Sequence, residues 1–132
     1  NLHDEQKKIV RLVLSAIGKE LELASENAID QATAMSGSGP AYVWKFMESL
    51  IAAGVKIGLS KNQSTLLTHQ TFLGASKLAA LGTDDVSTLC ERVASKGGTT
   101  EQALQVFEEK QLSKIIEEAI SAAYNRAKEL GK

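Results

Sequence analysis

"PAYVWKFMESLIAAGVKIGL", residues 40–59, is the longest apolar stretch of the chain, and its reading decides the fold. Lys45, Glu48 and Lys56 interrupt it, so it is not a lipid-spanning helix. Pro40 suits the first position of a helix, where a missing N–H leaves no bond unmade. The spacing predicts a helix from Pro40 to about Ile57, apolar nearly all round through Tyr42, Val43, Trp44, Phe46, Met47, Leu50, Ile51 and Val55. Such a helix must be covered on most sides, and four or five neighbouring helices are more than one small domain supplies. A second copy of the chain is the expected supplement, interleaved about a two-fold axis.

The rest of the chain supports a mainly α fold. With 132 residues it fits one domain, and 43% hydrophobic and 23% charged residues are ordinary for a globular protein. A net charge of −1 gives no reason to expect nucleic acid or an anionic membrane as partner. Downstream, helices are expected from Ser60 to about Leu81, from Asp85 to Ser95, from Thr100 to Glu109 and from Leu112 to Leu130. Their inward sets are Leu66, Leu67, Phe72 or Leu73, and Leu78 in the first; Val86, Leu89 and Val93 in the second; and Ile115, Ile116, Ile120 and Leu130 among those of the last. Upstream, Ser25 reads as the N-cap of a short helix to about Met35, and Asp4–Ala16 as another that stops at Gly18. Between them "ELEL", residues 20–23, alternates like one short strand, and a lone strand needs a sheet: either it pairs with another copy of itself, or the rest of its sheet is missing from this chain. With Asn1 rather than Met at its start, the sequence reads as an excerpt of something longer. The first residues lack the apolar core of a signal peptide, and a single cysteine, Cys90, agrees with a reducing cytoplasm. His3 and His69 are too few and too far apart for a zinc site, so no metal is expected.

Two turns carry candidate chemistry. In "VASKGGTTEQALQVF", residues 93–107, a Gly pair and a Thr pair share one hinge. In one reading Gly97 adopts a left-handed conformation that ends the preceding helix, and Thr99 caps the next with Gln102 closing a capping box. In the other, the N–H groups of Gly98, Thr99 and Thr100 form an anion nest at a helix start, and the Thr100 hydroxyl meets a second polar atom of the same ligand. The turn Ser36–Pro40 has the outline of a dinucleotide loop, but Tyr42 stands where the third Gly belongs and Pro40 lacks an N–H. It is either a tight interhelical turn or a second wall of the same pocket, offering Ser36 and Ser38. His69, Cys90 and the pairs Glu108/Glu109 and Glu117/Glu118 read as solvated or packing residues.

Taken together, "SGSGPAYVWKFMESLIAAGVKIGL", "TFLGASKLAAL" and "VASKGGTTEQALQVFEE" resemble the C-terminal dimerisation domain of pyrroline-5-carboxylate reductase. The resemblance covers about residues 25–131, and residues 1–24 resemble the end of that family's nucleotide-binding domain. It implies a remnant of a Rossmann domain over 1–24, with one strand left from its sheet. It also implies a helical bundle over 25–132 of the 6-phosphogluconate-dehydrogenase C-terminal-like type, binding substrate and forming a homodimer or an oligomer of dimers. The implied activity is NAD(P)H-dependent reduction of pyrroline-5-carboxylate to proline in the cytoplasm. No cofactor is expected to bind this chain alone. By position, Ser95 would give a hydroxyl, Gly97 would shape the hinge, Gly98, Thr99 and Thr100 would give amides to the substrate carboxylate, and Thr100 would bond the ring nitrogen as the catalytic residue. Ser36 and Ser38 would line the same region more loosely. Lys96 stands where the family usually has Pro. The alternative is a non-catalytic, stand-alone helical oligomerisation module whose hinge is only a double cap.

Overall fold

The computed structural model describes residues 3–131; Asn1, Leu2 and Lys132, at the outer ends of the two expected domains, lie outside the described residues. Among the described residues seven α-helices follow one another: α1 (Asp4–Ser15), α2 (Glu26–Ala32), α3 (Gly39–Lys56), α4 (Lys61–Leu81), α5 (Val86–Val93), α6 (Thr99–Glu109) and α7 (Leu112–Leu130). Polar side chains fix several of their starts. The Ser25 hydroxyl accepts from the Ala28 amide at 3.2 Å, and the Asp85 carboxylate accepts from the Thr88 amide at 2.8 Å. Ser60 and Gln63 form a reciprocal capping box, with bonds of 3.3 and 2.9 Å. Each such cap stabilises its helix by about 1 kcal/mol. The Thr88 amide and the Ser87 hydroxyl hold the Asp85 carboxyl below its usual range.

The central hairpin is α3 packed on α4. Gly58, at φ +107°, closes α3: the Gly58 amide bonds the Val55 carbonyl and the Leu59 amide bonds the Gly54 carbonyl, the paired bonds of a Schellman motif. A few residues back, a side chain on Gly54 would meet Ser64 Oγ at 2.7 Å, so glycine sets how closely the two helices approach. Ser64 and Thr68, at 2% and 6% exposure, form the α4 side of that crossing. Phe46 on α3 joins the layers, its ring edge-on to Phe72 of α4 at 6.0 Å and to Phe107 of α6 at 6.4 Å. The α7 helix returns along α2, and the Tyr124 hydroxyl donates to the Asn27 side-chain oxygen.

Two expectations are corrected. The segment 36–40 is not a tight interhelical turn: α2 runs on through a π-helical turn, Thr33–Gly37, almost directly into α3. The Ser38 amide reaches the Thr33 carbonyl at 2.9 Å, five residues back. Pro40 explains the widening, since it cannot donate to the carbonyl four residues earlier and its ring would crowd that carbonyl in a regular helix. Nor is a strand formed at residues 20–23, because no second strand is present among the described residues to pair with it. Instead Glu22 folds back on α1 and takes ion pairs from Lys7, at 2.8 Å, and from Arg11. These two cations, Lys7 first, hold the Glu22 carboxyl below its ordinary range.

The expected inward faces are not covered within one chain. Ala34 is the sole buried hydrophobic residue among those described, while Trp44, Leu66, Leu73, Leu78, Val93 and Ile115 are all more than half exposed. The accessible surface is 11036 Å², against the roughly 6,700 Å² expected of a compact monomer of this mass. About 4,000 Å² of this chain therefore lacks the cover that a folded monomer of its mass would provide. Among the described residues, no helix is long and apolar enough to cross a membrane.

Candidate functional site

The hinge between α5 and α6 is a turn with a definite geometry. The Gly98 amide donates to the Ser95 carbonyl at 2.9 Å, closing a four-residue turn over Ser95–Gly98. Gly97, its third residue, has φ +73°, whereas Lys96, its second, has no positive φ; this is the signature of a type II turn. The left-handed Gly97 expected from the sequence is therefore present. It serves the turn rather than the helix end, because α5 has already stopped at Val93. Lys96 sits at the turn position where Pro is commonly found in type II turns.

The expected cap is not formed. Helix α6 opens one residue earlier than anticipated, with Gly98 at the N-cap and Thr99 already in the first helical position. No side chain caps it, since Gly98 has none to offer. The pairing of Thr99 with Gln102 fails for that reason: the box register is Gly98 and Glu101. Glu101 is the residue the sequence reading missed. Its carboxylate accepts from the Gly97 amide at 2.7 Å, one residue upstream of the usual target, because the Gly98 amide is already engaged by Ser95. The signal was an acidic residue three positions after a glycine; with Glu101 and Gln102 adjacent, spacing alone could not choose between the registers.

Of the three amides expected to form a nest, that of Gly98 is consumed in the turn. Those of Thr99 and Thr100, with that of Glu101, have no backbone acceptor among the described residues and point out of the helix start. Thr100 is half-buried and Thr99 exposed, and neither hydroxyl is bonded among the described residues. Gly98 is required by Ser95, since a methyl there would lie 2.6 Å from Ser95 Oγ and 2.9 Å from the Ser95 carbonyl oxygen. The arrangement offers a small anion the open amides of this first helical turn and the neighbouring Thr100 hydroxyl.

Ser36 and Ser38 lie on the π-helical turn and its junction with α3. The Ser36 hydroxyl donates to the Ala32 carbonyl at 2.9 Å, and Ser38 bridges the π-helical turn and α3. An apolar trough beside α3 lies between Phe46 and Ile116 of α7. The same segment does not fit a dinucleotide phosphate, because the Ser38 amide is bonded to Thr33 and Pro40 has none.

The model of the family described as pyrroline-5-carboxylate reductase dimerisation matches residues 26–130. The pyrroline-5-carboxylate reductase of Pseudomonas aeruginosa is 42% identical over 118 residues, which are 89% of this chain and 43% of the relative. Among solved structures, a pyrroline-5-carboxylate reductase from Coxiella burnetii superposes with a TM-score of 0.94 at 42% identity, covering 99% of this chain and 48% of that one. A Plasmodium falciparum pyrroline carboxylate reductase with NADP bound superposes with a TM-score of 0.90 at 36% identity, covering 100% of this chain and 53% of its own. The chain thus spans about half the length of the relatives it matches.

Proposed function

Because the chain belongs to the pyrroline-5-carboxylate reductase dimerisation family, we propose that it is the dimerisation and substrate-holding half of an enzyme that reduces 1-pyrroline-5-carboxylate to proline. The observation that carries this reading is the uncapped start of α6, with two outward amides beside the half-buried Thr100 hydroxyl. The substrate has one carboxylate and one ring nitrogen. The Thr99 and Thr100 amides take the first, and the Thr100 hydroxyl takes the second. Ser95 orders the turn beneath them and presents its hydroxyl on the exposed side. Ser36 and Ser38 line the same region more loosely.

The reductant is NADPH or NADH, for which the segment 36–40 offers no phosphate loop because the Ser38 amide is bonded to Thr33 and Pro40 has none. What this half contributes is orientation: a fixed carboxylate and a bonded nitrogen leave the C=N carbon one face to present. The working assembly is a homodimer, or an assembly of dimers, in the cytoplasm. The rival reading, a bare oligomerisation module with a doubly capped hinge, is weakened because Thr99 does not cap.

The test is made in the full-length protein that carries this chain. Thr100→Ala should lower kcat/KM for pyrroline-5-carboxylate ten- to a hundred-fold, about 1.5–3 kcal/mol if the bonded nitrogen is charged, with thermal melting unchanged. Thr100→Ser should recover most of it. An alanine variant that melts early yet turns over normally would make the hinge a structural joint only.

A further inference from the structure

We propose that Glu101 is a positioning residue of this site: by accepting the Gly97 amide it fixes the turn peptide that decides whether the amides at the start of α6 face a ligand or a carbonyl of their own chain. The inference rests on the proposed substrate site and adds a residue that neither the hinge motif nor the family match singles out. The peptide between Lys96 and Gly97 is the central unit of the type II turn. Type I and type II turns differ mainly by a flip of that unit, and the flanking residues hardly move. Gly97 tolerates both forms, and Lys96, unlike a Pro, does not fix φ. Nothing in the turn itself therefore selects one orientation.

Glu101 makes the selection. Its carboxylate lies on the first turn of α6 and draws the Gly97 N–H toward that turn at 2.7 Å. The carbonyl of the same peptide plane, that of Lys96, consequently points away. After a flip it would point toward the first turn of α6, where the Thr99, Thr100 and Glu101 amides have no backbone acceptor. A carbonyl there would satisfy those donors from within the chain and compete with the substrate carboxylate. The Glu101 bond keeps that end of the helix open, and a charged acceptor makes it a stronger bond than a neutral one.

The experiment uses the full-length protein and pyrroline-5-carboxylate. Glu101→Ala is expected to raise KM about tenfold, the scale of one charge-assisted hydrogen bond at an exposed site, with kcat changed less than about twofold. Glu101→Gln, which retains an acceptor oxygen at the same reach, is expected to restore most of the affinity. Amide exchange at Gly97 should quicken in the alanine variant and not in the glutamine one. Should glutamine behave as alanine does, charge rather than the acceptor would be what matters, and the positioning role would be refuted. A wild-type protein that turns over substrate and is impaired by Thr100→Ala, yet is indifferent to Glu101→Ala, overturns this inference alone. A wild-type protein without such turnover overturns the proposed function and this inference with it.

Discussion

The glycines at 97 and 98 sit side by side and are required for different reasons. Gly97 is demanded by its backbone, at φ +73°, and nothing would touch a side chain placed there. Gly98 has an ordinary φ of −83° and is demanded by space, because Ser95 occupies the position of its missing Cβ. Gly98→Ala should therefore destabilise by about 1–3 kcal/mol, the usual range for an overpacked contact that only backbone movement relieves. Thr99→Ala should stay within about 0.5 kcal/mol of wild type, since an exposed side chain that caps nothing has little to lose. Thermal melts of the two variants side by side check both statements. A Gly98→Ala protein that melts with the wild type would mean that Ser95 does not hold the position seen here.

At the level of elements, the turn and the π-helical segment show how far local chemistry reaches. Lys96 has no positive φ, occupies the second position of a type II turn, and its amide donates no backbone bond among the described residues. Lys96→Pro should accordingly stabilise the full-length protein by about 0.4–1 kcal/mol, through a less free unfolded chain. A lower melting temperature would show that the second residue of the turn is not near the φ of proline. Most helix starts and ends were legible to within a residue or two, since Ser25, Ser60, Asp85 and Gly58 act through neighbours in sequence. The register of α6 was less so. Its two candidate boxes differ by one residue, and the choice fell to Ser95, which had already taken the Gly98 amide. The π-helical turn was illegible because one extra residue in a helix leaves no mark in hydrophobic spacing.

For the whole molecule the governing quantity is surface. An excess of about 4,000 Å² on one chain over a compact monomer of this mass, counted on both copies of a pair, is larger than the roughly 2,000–5,000 Å² that obligate partners commonly bury in total. Leu50, midway along α3, is 38% exposed in a single chain and would be closed over in such an assembly. Leu50→Asp should abolish folding along with association, because one apolar mass would serve as both core and interface. Sedimentation of the wild-type protein should show no folded monomer at micromolar concentration. A well-folded, monomeric Leu50→Asp protein would separate interface from core and remove the basis for an interleaved dimer.

The sequence by itself determined the α-helices, the starts at Ser25, Ser60 and Asp85, the left-handed glycine of the hinge and the need for cover around residues 40–57, because each depends on periodicity or on a partner within about five residues. Tertiary structure decided the remainder. Pairing of residues 20–23 requires a strand from elsewhere, so in this chain Lys7 and Arg11 hold the segment instead. Closeness of α3 to α4 rests on Gly54 meeting Ser64, two residues on different helices. Which amides of the hinge remain open depends on how Ser95 and Glu101 divide the donors of Gly98 and Gly97 between them. Hydrogen-bond donors are shared out in space, and a sequence shows only which residues are able to compete for them.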